Sequence, residues 1–349
     1  MDVGPILMNV RALIDTAAAL AADAKGLLAM DESTPTCNKR FAAAGIPQTE
    51  EMRRNYREWL IRTPDLCASI SGVILYDETI HQRTSDDTPF VAAIAAAGLI
   101  AGIKVDTGTT DLAGHPRERA TGGLDGLRER LAEYSRMGAR FAKWRAVFTV
   151  GDGLPSRGCI AANALALARY AALCQEAALV PIVEPEVLMT GDHSLARCGE
   201  VTQAVLRAVF GHLHEQRVML EGLILKPNMV LPGATCAQQA SAAEVAEATV
   251  TCLLRAVPAA VPAIAFLSGG QSGELASARL NAMHVRCNAR LPWALTFSFA
   301  RALQMPALEI WGGEQAHVAA AQRSLAHRAV CNRAARLGAY TAALEGGSV

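Results

Sequence analysis

Lys226 ends the run Leu220-Glu221-Gly222-Leu223-Ile224-Leu225 and is followed by Pro227-Asn228. An amine at the end of a buried apolar strand is costly to desolvate, and lysine answers desolvation by lowering its pKa. A neutral amine attacks carbonyl carbon, so this position suggests Schiff-base chemistry. Lysines at strand ends also snorkel harmlessly to water. Lys226 alone does not separate the two readings; the remaining strand-end residues do.

Charged and polar residues recur at the ends of apolar runs. They are Asp31-Glu32, Asp77-Glu78, Lys104 with Asp106, Lys143 with Arg145, Glu184 with Glu186, Lys226, Ser268 and Arg301. Residues two apart on a strand face the same way, so Lys143 pairs with Arg145 and Glu184 with Glu186 on one face. An ordinary core excludes such residues unless they are paired. Eight such ends favour a shared site over scattered ion pairs.

These types allow a defined chemistry. Lys226 would be the amine nucleophile, with Lys143 supplying a second cation that keeps it partly neutral. Glu184 would be the acid that removes water from the carbinolamine. Asp31 would take a hydroxyl proton two atoms from the iminium, so that a carbon–carbon bond breaks. The iminium is itself the electron sink, so no metal and no organic cofactor is called for. In Leu267-Ser268-Gly269-Gly270-Gln271-Ser272, glycines ahead of a helix can bring backbone N–H groups to a phosphate, although a tight turn explains them equally well. Arg301 strengthens the phosphate reading. Lys39, Arg40, Lys104 and Arg145 form a second basic group for another phosphate, with Lys39-Arg40 also explicable as a solvated surface pair. Trp144 alternates to the opposite face and reads as core.

The positioning elements follow from periodicity. Strands are expected at Gly26–Met30, Gly72–Tyr76, Ile100–Val105, Phe141–Phe148, Val180–Glu186, Leu220–Leu225, Ala263–Leu267 and Ala294–Phe299. Helical stretches are expected at Ala17–Lys25, Leu124–Met137, Ala161–Ala178, Cys198–Gln216, Ser241–Ala256, Glu274–Met283 and Glu314–Arg336. Alternating strands and helices imply parallel pairing, and eight repeats in this length match an α/β (β/α)8 TIM barrel, with catalysis at the carboxyl ends of the strands. A doubly wound sheet is the alternative. No linker divides the chain, which predicts a single domain over 1–349, with a helical extension at about 1–25 and a flexible tail at about 341–349.

Composition bounds the partners. Lys+Arg and Asp+Glu are equal at 33 each, so no net field favours nucleic acid or an anionic membrane. The longest uncharged apolar run, Phe90 to Ile103, is too short for a membrane span. The opening residues lack a basic start and a clean apolar centre, unlike a signal peptide. The 9 cysteines include no Cys-x-x-Cys pair, which points to free thiols in a reducing cytoplasm rather than to disulfides or structural zinc.

The segments Leu28-Ala29-Met30-Asp31-Glu32-Ser33-Thr34, Gly102-Ile103-Lys104-Val105-Asp106, Phe141-Ala142-Lys143-Trp144-Arg145, Val183-Glu184-Pro185-Glu186, Leu225-Lys226-Pro227-Asn228-Met229, Leu267-Ser268-Gly269-Gly270-Gln271-Ser272 and Thr296-Phe297-Ser298-Phe299-Ala300-Arg301 together resemble class I fructose-1,6-bisphosphate aldolase. The likeness runs in order from about Leu20 to about Tyr340. It implies a (β/α)8 barrel that cleaves fructose 1,6-bisphosphate without metal, in a cytoplasmic homotetramer acting on small sugar phosphates. It makes Lys226 the imine-forming residue, Glu184 the acid/base, Lys143 the group that polarises the ketone oxygen and Asp31 the contact of the C4 hydroxyl. Glu186 would belong to the charge network around the lysine. Ser268, Gly269, Ser298 and Arg301 would hold the C1 phosphate. Ser33, Thr36, Lys39, Arg40, Lys104 and Arg145 would hold the C6 phosphate.

Two departures from the family pattern stand out. Phe299-Ala300 replaces the family's usual Tyr-Gly, a tolerable change unless the backbone needs φ > 0. The family's terminal tyrosine is matched by no residue in Leu344-Glu345-Gly346-Gly347-Ser348-Val349. The tail is therefore expected to be dispensable, with enamine protonation falling to the barrel. A non-catalytic sugar-phosphate sensor and a Schiff-base aldolase of broader substrate range are the competing readings. The complete lysine and carboxylate set disfavours the sensor.

Overall fold

The computed structural model describes residues 4–346, with side chains described from Val10 onward. Eight parallel strands close into a barrel in chain order: β1 Gly26–Ala29, β2 Ile70–Leu75, β3 Ile100–Lys104, β4 Phe141–Phe148, β5 Val180–Val187, β6 Ile224–Leu225, β7 Ala263–Phe266 and β8 Ala294–Phe299. β1 pairs with both β2 and β8, so the sheet has no free edge, which excludes the doubly wound alternative. The expected barrel is the observed one.

The two-residue period of each strand explains how the barrel becomes a site. The same inward face carries apolar residues early and charged residues late. On the chain this reads Leu27, Ala29, Asp31; then Phe141, Lys143, Arg145; then Ile182, Glu184, Glu186; then Ile224, Lys226. The early members pack with Leu13, Ala17 and Leu20 of the Gly4–Ala21 helix, which closes the amino-terminal mouth of the barrel. The late members stand at the carboxyl end. The outward faces pack against the helices. Trp144, for example, lies against Tyr170 of the Arg157–Glu176 helix, with ring centroids 5.5 Å apart.

Three expectations need correction. The strand expected at Leu220–Leu225 is only Ile224–Leu225, preceded by a 3-10 turn at Leu220–Gly222. The Gln175 amide donates to the carbonyls of Met219 and Gly222, and its oxygen accepts from the Met219 N–H. Those backbone groups are satisfied without a neighbouring strand. The loose tail expected from about 341 does not reach Glu345. A 3-10 turn at Ala342–Gly346 presents this carboxylate to the Arg328 guanidinium and to the Tyr340 hydroxyl, the latter at 2.7 Å. The antiparallel hairpin of Thr109–Asp111 with Arg119–Thr121 also lies outside the expected pattern, because its strands are short and polar. Among the described residues no helix is long and apolar enough to cross a membrane.

The barrel floor depends on one close approach. A Cβ added at Gly102 of β3 would fall 2.2 Å from the Phe141 ring. Gly102→Ala should therefore overpack the floor and destabilise the protein by ~1–3 kcal/mol. Thermal denaturation of Gly102→Ala with and without Phe141→Leu checks this: the second substitution should restore part of the loss.

Candidate active site

The carboxyl ends of the strands surround a cleft of about 980 Å³. All fifteen residues singled out in the sequence line it: Asp31, Ser33, Thr36, Lys39, Arg40, Lys104, Lys143, Arg145, Glu184, Glu186, Lys226, Ser268, Gly269, Ser298 and Arg301.

At its base is a buried ionic cluster. Lys143 and Lys226 are each only 3% exposed and Glu184 4%. Glu184 lies between the two amines, with Oε1 3.3 Å from Lys226 Nζ and Oε2 3.4 Å from Lys143 Nζ. Lys143 also reaches across the barrel to Asp31, 2.7 Å from its Oδ2, and lies 3.9 Å from Asp106. Asp106 in turn pairs with Lys104 and accepts the Arg145 backbone N–H at 3.1 Å. Three ammonium groups thus face three carboxylates. Arg145 Nε meets Glu186 Oε2 at 2.5 Å, so these two upper residues neutralise each other.

The electrostatics assign different states to the groups. Burial disfavours the charged form of Asp31, but Lys143 and Lys226 outweigh it and hold the carboxyl at about 2. Burial also opposes the Lys143 ammonium, yet Asp31, Glu184 and Asp106 raise its pKa above the ordinary lysine value. Lys143 therefore remains a cation, suited to polarising an oxygen and unsuited to nucleophilic attack.

The glycine loop has the geometry its sequence suggested. Gly269 and Gly270 lie at φ +59° and +94°, a region that favours glycine. Ser272 then caps the Gly273–Cys287 helix by accepting the Leu275 N–H. Ser298 Oγ is buried and has no hydrogen-bond partner among the described residues, although it lines the cleft. Arg301 begins a helix at the rim, and no carboxylate lies within 4 Å of it among the described residues. Ala300 has φ −103°, so the backbone there does not call for the positive φ that favours glycine. A guanidinium without a carboxylate partner and an orphaned hydroxyl at one helix start, with a glycine turn at the start of another, line the same cleft and suit a phosphate.

The second basic group is more heavily engaged. Arg40 pairs with Glu32 at 2.5 Å and donates to Gln304. Lys104 and Arg145 are held by Asp106 and Glu186. Lys39 is exposed, with no carboxylate within 4 Å among the described residues. Gln304 escaped the sequence reading, and Glu32 was visible beside Asp31 but was given no role. Asp106 was visible beside Lys104 but was given no role, and its two-residue spacing from that lysine was the available signal. Asp77 and Glu78 also end a strand, but Glu78 pairs with Arg53 at 2.6 Å and Asp77 accepts from Tyr134 at 2.6 Å.

Among the described residues, the histidine, cysteine and carboxylate donors that converge within 4.8 Å of one another are His327, Cys331 and Glu345, none of which lines the cleft.

The chain as a whole is similar to known proteins. The sequence model of the class-I fructose-bisphosphate aldolase family matches residues 12–348. A Xanthomonas campestris protein named "Probable fructose-bisphosphate aldolase class 1" is 55% identical, over 95% of this chain and 99% of its own. The chain belongs to the class I fructose-bisphosphate aldolase family. Arabidopsis thaliana "Fructose-bisphosphate aldolase 6, cytosolic" is 51% identical over 94% of this chain and 91% of its own. The Plasmodium falciparum fructose-bisphosphate aldolase, solved in complex with TRAP and a small-molecule inhibitor, superposes with a TM-score of 0.94 at 45% identity, covering 96% of both chains. As a class I aldolase this chain is a lyase. Its reaction is the reversible glycolytic cleavage of fructose 1,6-bisphosphate to dihydroxyacetone phosphate and glyceraldehyde 3-phosphate.

The depressed Asp31 carboxyl has a testable sign. Its folded value, about 2, lies below the ordinary 3.8. It therefore contributes stability above pH 3.8, and that contribution is lost as pH falls toward 2. Asp31→Asn should lower unfolding free energy by about 2 kcal/mol at neutral pH. Urea melts should show a gap to wild type that is constant from about pH 7 to 5 and narrows only below about pH 4. A gap already closing between about pH 7 and 5 would contradict the assignment.

Proposed function

We propose that Lys226 carries the reaction as a Schiff base and that the surrounding cluster serves its proton transfers. The observation that supports this most is Glu184 standing 3.3 Å from Lys226 and 3.4 Å from Lys143 at the base of the cleft. The Lys226 amine adds to the C2 ketone, and Lys143 polarises the ketone oxygen. Glu184 gives a proton to the carbinolamine hydroxyl, which leaves as water, and the iminium forms. Asp31 takes the proton of the C4 hydroxyl. The C3–C4 bond breaks, its electron pair moves into the iminium, and glyceraldehyde 3-phosphate departs. Protonation of the enamine at C3 and hydrolysis release dihydroxyacetone phosphate, with Glu184 again the nearest acid. Glu186 keeps Arg145 in place above the cluster.

In this reading Ser268, Gly269, Ser298 and Arg301 hold the C1 phosphate. Ser33, Thr36, Lys39, Arg40, Lys104 and Arg145 serve the C6 phosphate. The ion pairs of Arg40, Lys104 and Arg145 imply that a dianion arriving there competes with Glu32, Asp106 and Glu186. The C6 site should therefore be softer than the C1 site, which leaves room for other ketose bisphosphates. No metal takes part, because the iminium already withdraws electrons. The remaining parts of the reading, from the family resemblance, are a homotetramer and a cytoplasmic location.

Lys226→Met should abolish both turnover and borohydride trapping with dihydroxyacetone phosphate while circular dichroism stays native. The loss should span several orders of magnitude. Full trapping in this variant would move the imine to another lysine. Lys104→Ala should raise KM for fructose 1,6-bisphosphate about tenfold more than for fructose 1-phosphate. Equal effects on both substrates would show that Lys104 does not serve the C6 end.

A further inference from the structure

Behind the glycine loop lies a cation that the mechanism does not use. Arg279 sits in the Gly273–Cys287 helix and is only 7% exposed. Among the described residues no carboxylate lies within 4 Å of it, and its Nε is buried without a hydrogen-bond partner. Burial pushes its pKa below the ordinary guanidinium value, with no neighbouring charge to offset this. Buried charges are costly unless paired, so an isolated guanidinium needs a reason to be kept there.

Its one side-chain partner among the described residues points to one. Arg279 Nη1 donates to Gln271 Oε1 at 2.8 Å. That bond fixes which end of the buried Gln271 amide is the donor. Gln271 Nε2 then donates to the Ser268 carbonyl at 2.9 Å, and the Gln271 backbone N–H donates to the same carbonyl at 3.0 Å. Two donors on one carbonyl hold the peptide between Ser268 and Gly269. The orientation of that peptide decides where the Gly269 N–H points. Gly269 itself lies at φ +59°, a conformation that needs holding.

We propose that Arg279 is a positioning residue for the C1-phosphate cradle, acting through Gln271 on the Ser268–Gly269 peptide and presenting a buried positive charge behind the loop. This rests on the reading of that loop as the C1-phosphate site. An empty loop leaves the guanidinium without a counter-charge, and a bound phosphate dianion supplies one across a poorly screened wall. The phosphate thus completes an electrostatic pair that the folded chain leaves open.

Phosphate affinity separates this role from simple packing. Wild type, Arg279→Met and Gln271→Glu are compared by steady-state cleavage of fructose 1,6-bisphosphate, competitive inhibition by inorganic phosphate, and thermal denaturation. Arg279→Met should raise KM and the inhibition constant of phosphate together by about tenfold, with kcat reduced less than about threefold. In Gln271→Glu the new carboxylate pairs with Arg279 but repels the Ser268 carbonyl. It should also weaken phosphate about tenfold while its melting temperature holds or rises. This arm decides the matter if Arg279→Met does not fold. Unchanged phosphate inhibition in either folded variant would overturn the proposal and leave Arg279 as a packing residue. The wild type supplies the separate control. If it shows no borohydride-trappable imine, the reading of the cleft fails, whatever the variants do to phosphate.

Discussion

Two buried ammonium groups share one carboxylate inside this barrel, and the rest of the architecture answers to that arrangement. Neither Lys143 nor Lys226, buried at the base of the cleft, could be held there without a counter-charge. Glu184 serves both, and Asp31 and Asp106 complete the set around Lys143. The groups come from β4 and β5 and from the segments following β1, β3 and β6, so no single hairpin or helix could assemble them. Closure of the barrel makes Asp31 and Lys143, three strands apart around the wall, neighbours at 2.7 Å. Removing Glu184 would leave the buried Lys226 with no carboxylate within 4 Å among the described residues, so site and fold are coupled.

The same arrangement divides labour between two chemically identical side chains. Lys143 faces three carboxylates and is locked as a cation, whereas among the described residues Lys226 has only Glu184 within 4 Å. In the proposed reading Lys226 is the amine that attacks, and Glu184 beside it is the carboxylate placed to shuttle protons. Specificity is separated in a similar way. On the proposed C1 side Arg301 has no carboxylate within 4 Å among the described residues, while most cations at the opposite end are already paired. In that reading binding energy is concentrated at the end nearer Lys226.

Much of this was legible because a barrel strand carries its function locally. Ile182-Val183-Glu184-Pro185-Glu186 states in five residues which face is inward and where the core gives way to the site. Strand boundaries at Phe141–Phe148 and Ala294–Phe299 followed from the same period. What stayed hidden depends on contacts distant in sequence. Nothing near Arg40 announces that Gln304 accepts from it, 264 positions away. Nothing in Leu220–Gly222 announces that Gln175 satisfies its backbone and ends the strand pattern. The Glu345 carboxylate looked free because its partner, Arg328, belongs to a long helix with little amphipathic pattern. Gly273–Cys287 was readable as a helix, but the inward turn of Arg279 toward Gln271 was not.

The central claim is that Glu184, by standing between the two lysines, makes Lys226 competent to form an imine. Single-turnover imine formation between dihydroxyacetone phosphate and Glu184→Gln, followed by borohydride quench and intact mass, tests it directly. Glutamine keeps the shape and removes the exchangeable proton. The account predicts a rate of imine formation at least about 100-fold below wild type, with the dissociation constant of inorganic phosphate unchanged. Imine formation at the wild-type rate in Glu184→Gln would contradict it.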